Sequence, residues 1–234
     1  MNFIQIMAGG IGKRMGNTTM PKQFLSLGGK PIIIHTIEKF ILNSSFEKII
    51  VSCPKSWMQY AKETIGNYTD DSRIVVIEGG KERNDTLIKA IEYIEMQYSV
   101  DDMDILMVHD AVRPFVDRRI IEENLKLVEK YNAVDTCIPA FDTIVSIENK
   151  EILEIPNREK MYQGQTPQTF KIQVLKECYN CLSDEEKITM TDSCKICLLS
   201  GEKVGVVEGD VANMKITTPY DLNIANSLLK EKKE

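Results

Sequence analysis

The stretch that sets the fold class is Phe3-Ile4-Gln5-Ile6-Met7-Ala8-Gly9-Gly10-Ile11-Gly12-Lys13-Arg14-Met15-Gly16. It begins with a mostly apolar run of strand length, and the glycines that follow predict a tight turn. A strand that enters a Gly-rich turn brings backbone N–H groups together, which is typical of an anion-binding loop. A solvated turn without a ligand is the alternative.

Two familiar phosphate-binding patterns do not match this turn. Met15 stands where the dinucleotide fingerprint has its third glycine, and Arg14 follows Lys13 where the NTPase phosphate loop needs Ser or Thr. The turn instead carries cations of its own, and Lys22 follows behind the rigid Pro21. Cations gathered in this way in an acidic chain favour a polyphosphate ligand.

Outward from this turn, apolar runs alternate with amphipathic stretches. The pattern predicts strands at 48–53, 73–77, 104–108 and 133–139, and helices at 31–42, 57–65, 84–98 and 119–131. Later elements are predicted as helices near 172–182, 192–200 and 219–229 and as strands at 203–207 and 214–216. This β-α alternation predicts the α/β class, with a Rossmann-like, mostly parallel sheet flanked by helices on both faces.

The alternation breaks near residue 141. Short strand-like runs at 142–147 and 151–155 surround Glu148-Asn149-Lys150, which predicts a hairpin that leaves the sheet. We therefore expect one domain over residues 1–234 with a protruding β-arm at about 141–158.

Composition excludes several classes of partner. The 234 residues include 29 Lys and Arg against 35 Asp and Glu, a net charge of −6, which argues against nucleic acid and membrane surfaces. No apolar run approaches the length of a membrane-spanning helix, and the first residues are expected to form a strand rather than a signal peptide. The expected compartment is the cytoplasm, where thiols stay reduced.

The spacing of the cysteines is compatible with a zinc site but does not require one. Cys178-x-x-Cys181 and Cys194-x-x-Cys197 are separated by 12 residues, a spacing that can bind the metal. Both pairs fall in helical patterns rather than in Gly-containing turns, so ordinary buried thiols are the favoured interpretation. Cys53 and Cys137 belong to apolar strands and are predicted to be core residues.

Three other segments carry chemistry-bearing side chains. Asp110 follows the strand 104–108, where α/β sheets bind ligands, and an Asp there can hold Mg²⁺ against phosphates or simply cap a helix. Arg113 could form an ion pair with the Asp110 carboxylate or with a phosphate. A single histidine such as His109 is more often a structural residue than a catalytic base. The Gly79–Thr86 segment joins a strand to a helix and could contact a planar ligand. Lys215, in an apolar run, needs an anionic partner.

Eight motifs in order across almost the whole chain resemble one family. They are Ala8–Gly16, Pro21–Phe24, Gly79–Thr86, His109–Pro114, Asp142–Ile144, Gln165–Gln168, Thr191-Asp192 and Lys215–Thr217. This pattern is similar to that of the cytidylyltransferases that act on methylerythritol 4-phosphate or ribitol 5-phosphate. The resemblance implies a nucleotidyltransferase fold, Mg²⁺ as cofactor, CTP and a polyol phosphate as substrates, and a homodimer whose arms share the active sites.

Two departures favour the ribitol branch. Val145 stands where the methylerythritol enzymes typically have Lys. The run Tyr162–Gln165 stands where those enzymes typically have a run that contains Trp. Residues 155–158 and 191–197 also resemble the ribitol branch, which would supply CDP-ribitol for teichoic acid or capsule. The methylerythritol activity and a non-catalytic nucleotide-binding regulator remain as alternatives.

The resemblance also implies residue roles. Arg14, Lys22 and Lys215 would be catalytic. Nucleotide binding would involve Ala8, Gly9, Gly10, Gly12, Gly80, Arg83, Thr86 and Asp110, and Asp110 would also hold the metal. Polyol-phosphate binding would involve Arg113, Thr143, Arg158, Thr166 and Thr191.

Overall fold

The computed structural model describes residues 1–10, 15, 20–190 and 192–231. Its strands are β1 (Asn2–Met7), β2 (Ser26–Leu27), β3 (Lys30–Pro31), β4 (Phe46–Cys53), β5 (Ile74–Glu78), β6 (Ile105–Asp110), β7 (Ala133–Pro139), β8 (Ser146–Glu148), β9 (Glu151–Glu154), β10 (Tyr162–Gly164), β11 (Gln168–Lys171) and β12 (Val204–Glu208). Its α-helices are α1 (Ile32–Ile41), α2 (Met58–Gly66), α3 (Arg83–Gln97), α4 (Arg118–Leu127), α5 (Ile172–Asn180), α6 (Asp184–Thr189), α7 (Ser193–Leu199) and α8 (Pro219–Glu231).

The central sheet has eight strands and confirms the predicted α/β class. Its path runs β10-β7-β11-β6-β1-β4-β5, and β12 pairs with β7. The pairs β1–β4, β1–β6, β4–β5 and β7–β12 are parallel, whereas β10 and β11 run antiparallel to their neighbours. The sheet is therefore mostly parallel, as the alternation of strands and helices predicted.

Successive side chains along each strand point to opposite faces of the sheet, so the core has two layers. Ile4 and Ile6 belong to the layer that packs on α1, α2 and α4, while Phe3 belongs to the layer that packs on α3, α5 and α7. Both faces of the sheet are thus covered, as parallel sheets require. A third, smaller cluster joins the segment around β2 and β3 to α8, and it includes Leu27, Ile32, Ile216 and Ala225.

One prediction of secondary structure was wrong, and several elements were not predicted. Residues 214–216 were predicted as a strand, but they form an irregular segment whose Ile216 is buried in the third cluster. The short strands β2 and β3, the antiparallel strands β10 and β11 and the short helix α6 were not predicted. β11 inserts between β6 and β7, and the local sequence pattern carries no information about that strand order.

The predicted hairpin is present as a separate two-stranded sheet of β8 and β9. Its turn residues Asn149 and Lys150 have positive φ angles of 51° and 69°, as tight hairpin turns require. Every residue of the two strands is exposed. Within one chain, the arm leaves apolar side chains uncovered: Ile147, Ile152, Leu153 and Ile155 are 62%, 60%, 70% and 59% exposed.

The cysteines are free thiols. Cys53, Cys178, Cys194 and Cys197 are buried as predicted, Cys137 is half-buried, and Cys181 is exposed, contrary to the prediction. In the part of the chain that the structure describes, the four spaced cysteines do not form a cluster with metal-binding geometry. Nor does that part contain a helix long and apolar enough to cross a membrane.

Candidate active site

A cavity of about 470 Å³ opens where β1 and β6 end. Its described lining comes from segments within residues 7–10, 22–23, 80–86, 110–112 and 215–217. Three of these segments begin at the carboxyl ends of β1, β5 and β6, which is where open α/β sheets bind their ligands. The topology therefore brings together residues that lie more than 200 positions apart in the sequence.

Asp110 lies at the centre of the charges in this cavity. Its Oδ1 accepts a hydrogen bond from Arg83 Nη1 at 2.9 Å, and its Oδ2 lies 2.9 Å from Lys215 Nζ. Arg113 Nε lies 3.5 Å from the same Oδ2. A single carboxylate thus faces three cations, which leaves a net positive charge for an anionic ligand.

The protonation state of Asp110 follows from this arrangement. Burial alone would raise the pKa of its carboxyl, but the charges of Arg83, Lys215 and Arg113 outweigh burial and hold that pKa well below its ordinary value. Asp110 is consequently an anion under all ordinary conditions. Lys215 thereby has the anionic partner that its apolar sequence context required.

Lys22 reaches the cavity from the other end of the chain. It lies in a short 3₁₀ helix at Lys22–Phe24 and is 8% exposed. Its Nζ donates to the carbonyl of Ile216 at 3.1 Å, so the ammonium lies beside the segment that carries Lys215. The neighbouring Gln23 donates from Nε2 to the carbonyl of Ala8 at 2.6 Å and fixes the start of the Gly-rich turn.

The segment between β5 and α3 forms one wall. Thr86 Oγ1 accepts from the backbone N–H of Gly80 and donates to the carbonyl of Glu82, both at 2.9 Å. Asp85 accepts from the N–H of Glu82 at 3.2 Å and so stabilises the start of α3. A Cβ on Gly80 would lie 2.2 Å from that of Asp85, so this wall requires glycine there.

A buried polar layer lies behind Asp110. His109 is fully buried, and burial, the largest influence on it, lowers the pKa of its imidazole to about 4. Thr166 Oγ1 lies 3.0 Å from His109 Nδ1 and accepts from the N–H of Asp110 at 3.1 Å. Arg113 donates from Nη1 to the carbonyl of Asn213 at 2.7 Å. Thr166 and Arg113, predicted to contact substrate, are thus engaged with the protein itself.

The structure gathers most of the predicted nucleotide residues at one cavity. Gly9, Gly10, Lys22, Gly80, Arg83, Thr86, Asp110 and Lys215 line it. Ala8 is buried behind this lining. Arg14, Gly12 and Thr191 lie outside the described residues. Thr143 and Arg158 are exposed on the arm rather than in the cavity, and Arg158 Nη1 donates to the carbonyl of Phe141 at 3.4 Å.

The sequence analysis gave no role to seven of the described lining residues: Met7, Gln23, Lys81, Glu82, Ala111, Val112 and Thr217. Gln23 and Thr217 lie inside the motifs Pro21–Phe24 and Lys215–Thr217, so their place in those motifs could have indicated them. No feature of the sequence indicated the ion pair between Arg83 and Asp110, because that pair depends on how α3 is placed against β6.

The donor set around Asp110 suits a magnesium ion that arrives with phosphate. Mg²⁺ prefers oxygen ligands and is commonly held by one or two carboxylates together with substrate phosphates and water. Asp110 supplies such a carboxylate, and the cations now on its oxygens are the groups that a triphosphate would attract. A soft-metal site is not indicated in this cavity, since its described lining contains no Cys or His.

The fold and this site define an enzyme of the nucleotidyltransferase class, and comparison with known proteins identifies its family. The family model of 2-C-methyl-D-erythritol 4-phosphate cytidylyltransferase matches residues 3–231. The chain belongs to this family and is a cytidylyltransferase.

Individual relatives agree with this assignment. Ribitol-5-phosphate cytidylyltransferase of Lactiplantibacillus plantarum is 51% identical over 232 residues, which cover 99% of this chain and 100% of the relative. The structure of 2-C-methyl-D-erythritol 4-phosphate cytidylyltransferase of Francisella tularensis is 29% identical, with a TM-score of 0.81 over 97% of this chain and 98% of that one. That of 4-diphosphocytidyl-2C-methyl-D-erythritol synthase of Anaerococcus prevotii is 25% identical, with a TM-score of 0.80 over 98% and 96%.

Proposed function

We propose that this enzyme transfers CMP from CTP to D-ribitol 5-phosphate, giving CDP-ribitol and pyrophosphate. The observation that carries the choice of acceptor is the 51% identity, over essentially both full lengths, to a ribitol-5-phosphate cytidylyltransferase. The two methylerythritol enzymes of known structure described above are 29% and 25% identical over comparable lengths. Val145 and Tyr162 support the same branch.

The chemistry requires positioning and charge neutralisation rather than a general base. A phosphate oxygen of the acceptor, already anionic at neutral pH, forms a bond to the α-phosphorus of CTP. The bond from that phosphorus to the bridging oxygen breaks, and pyrophosphate leaves with the electron pair. Lys22 and Lys215 would stabilise the charge that gathers on the α-phosphate, because their neighbouring positions let them face one group.

The remaining nucleotide contacts follow from the cavity. Gly9 and Gly10 would hold the phosphates, and the wall formed by Gly80 and Thr86 would contact cytosine. Arg14, which lies outside the described residues, would join the phosphate contacts on the strength of the family resemblance alone. Asp110 would hold Mg²⁺, which supplies charge neutralisation on the triphosphate when bound. Arg83, which pairs with Asp110 at 2.9 Å in the same lining, would also face the triphosphate.

We propose further that two chains form a homodimer through the β-arm. An isolated hairpin is only marginally stable in water, and this one exposes apolar side chains along both of its strands. A second arm related by two-fold symmetry would cover them. Thr143 and Arg158 would then reach the polyol phosphate in the partner's cavity, because neither lines the cavity of its own chain.

The proposed reaction belongs to the cytoplasm and supplies an activated ribitol for a teichoic acid or a ribitol-containing capsule. CTP is the donor, and the acceptor is a soluble sugar-alcohol phosphate. Sedimentation of the purified protein tests the dimer directly. A monomer at micromolar concentration would contradict the shared-site proposal while leaving the reaction itself open to assay.

The test of the reaction is pyrophosphate release from CTP and Mg²⁺ with a panel of acceptors. The panel contains D-ribitol 5-phosphate, 2-C-methyl-D-erythritol 4-phosphate and a tetritol phosphate, each at matched concentration. We expect the highest kcat/KM with D-ribitol 5-phosphate. Faster turnover of methylerythritol phosphate would assign the protein to the other branch, and turnover of no acceptor would favour a non-catalytic nucleotide-binding protein.

A further inference from the structure

His109 occupies an unusual position beside the charged centre of the cavity. It precedes Asp110 at the end of β6, its side chain is fully buried, and its ring packs on Phe40 with centroids 5.1 Å apart. Both of its ring nitrogens nevertheless have partners. Nε2 lies 3.1 Å from the carbonyl oxygen of Arg113, and Nδ1 lies 3.0 Å from Thr166 Oγ1.

The identity of these partners fixes the direction of each hydrogen bond. A carbonyl oxygen can only accept, so Nε2 must carry the hydrogen. A buried imidazole that has no carboxylate on either nitrogen is best neutral, so Nδ1 is an acceptor and Thr166 donates to it. The hydroxyl oxygen of Thr166 in turn accepts from the N–H of Asp110 at 3.1 Å.

The result is a directed chain that begins and ends on the same turn. It runs from the N–H of Asp110 through Thr166 and His109 to the carbonyl of Arg113. The turn between its two ends is closed by a bond from the N–H of Arg113 to the carbonyl of Asp110 at 3.1 Å. Asp110 and Arg113 are also the two members of the 3.5 Å ion pair.

From this geometry we propose that His109, as the neutral Nε2–H tautomer, and Thr166 are positioning residues that together set the place of the Asp110 carboxylate in the nucleotide cavity. The inference rests on the proposed function for its kinetic consequence. Neither residue lines the cavity, so both act through Asp110 rather than on the substrate.

The first test needs neither a variant of these residues nor a substrate. The chain has two histidines, His35 and His109, so a ¹⁵N-histidine-labelled sample gives two imidazole patterns. The variant His35→Gln assigns them. We expect His109 to show a pyrrole-like Nε2 and a pyridine-like Nδ1 at pH 7. An Nδ1–H tautomer, or an imidazolium, would overturn the proposal whether or not the enzyme uses ribitol phosphate.

The second test separates positioning from simple support of the fold. Thr166→Val removes the hydroxyl and Thr166→Ser keeps it, while His109→Asn keeps an acceptor near the place of Nδ1. We expect Thr166→Val to lower kcat/KM for CTP by roughly 10–100-fold, the range typical of partners that orient an active-site ligand, and to shift the Nδ1 resonance of His109. Thr166→Ser should restore both, and His109→Asn should retain more activity than His109→Leu.

A double-mutant cycle completes the design. If Thr166 acts through Asp110, then Thr166→Val should cost little further activity in an Asp110→Asn background. Additive losses in the two backgrounds, or an unshifted Nδ1 resonance in Thr166→Val, would overturn the positioning role. Absence of turnover in the wild type would instead count against the proposed function and leave the tautomer measurement valid.

Discussion

Lys22 Nζ donates to the carbonyl of Ile216 at 3.1 Å, although 194 positions separate the two residues in the chain. The bond places the ammonium of Lys22 next to Lys215, whose own Nζ lies 2.9 Å from Asp110 Oδ2. One lysine from each end of the sequence therefore reaches the same cavity. Their joint position supports a shared role at one phosphate.

Replacing either lysine should affect turnover more than nucleotide binding. Charge gathers on the α-phosphate as the fifth oxygen arrives, so Lys22→Ala and Lys215→Ala should each cost on the order of 3 kcal/mol, or roughly a hundredfold in kcat. Steady-state kinetics with varied CTP measure this. Lys126→Ala, an exposed change on α4, is the matched control. A raised KM with unchanged kcat would assign these lysines to ground-state binding.

Removing the carboxylate of Asp110 should reduce both activity and stability. Asp110→Ala leaves three cations facing one another, and breaking such a buried ion pair is costly. Arg83 and Lys215 are partly exposed, so we expect the free energy of unfolding to fall by about 2 kcal/mol rather than more. Urea denaturation and Mg²⁺-dependent pyrophosphate release measure the two effects. Near wild-type activity in Mg²⁺ would contradict the metal role.

Gly80 should tolerate no side chain. A Cβ there would lie 2.2 Å from that of Asp85 and 2.7 Å from the backbone nitrogen of Thr86, so Gly80→Ala must displace the wall of the cavity. We expect a several-fold rise in KM for CTP. Gly66→Ala is the control, since nothing lies within 4 Å of its added Cβ. Equal KM values for the two variants would show that this wall does not contact the nucleotide.

Mixed dimers test whether Arg158 serves the partner's cavity. Arg158→Ala and Lys22→Ala should each be nearly inactive alone. If Arg158 acts across the interface, each mixed dimer has one intact site, and random equal exchange restores about a quarter of all sites. If it acts within its own chain, every site keeps one lesion. No recovery after verified subunit exchange would therefore exclude sharing.

Asp135 should make stability depend on pH. Burial, and then the charge of Asp192, raise its pKa from 3.8 to about 6, and Gln168 Nε2 donates to both carboxylates, at 3.0 Å and 2.8 Å. The folded state therefore binds a proton more tightly than the unfolded state. This contribution is fully present below the unfolded pKa and is lost as pH rises through about 6.

Asp135→Asn removes this pH-dependent loss of stability, because the asparagine side chain is neutral at every pH. At pH 8 the variant should exceed the wild type in free energy of unfolding by on the order of 2 kcal/mol, while near pH 3.5 the two should be similar. Denaturant titrations at several pH values measure the difference. Asp70→Asn, an exposed change, is the control. Parallel pH profiles of Asp135→Asn and the wild type would refute the prediction.

The sequence predicts the fold class and the gathering of the site for a physical reason. Lys22, Asp110 and the Gly-rich turn all follow strands or rigid turns at one edge of a parallel sheet, and that topology brings their ends together. Gly80 could be placed by the same reasoning, because it lies directly after β5. The places of Asp110 and Gly80 follow from strand periodicity and sheet topology, whereas the roles predicted for Lys22 and Lys215 came from the family resemblance.

What the sequence could not predict depends on contacts between distant segments. β11 pairs antiparallel between β6 and β7, and strand order is set by global packing. The apolar residues at 214–216 have the composition of a strand, yet Ile216 is buried against Leu27 and Val112 in the third cluster. The bond between Thr166 and His109 likewise joins residues 57 positions apart.

Helix α8 has a consequence for when the enzyme becomes active during its synthesis. Its Asn226 accepts from the N–H of Gly28 at 3.0 Å, and its apolar face completes the third cluster together with Ile216. The segment that carries Lys215 and Thr217 is therefore held by the helix that is synthesised last among the described elements. We expect the lining of the cavity to be complete only after α8 has left the ribosome and docked.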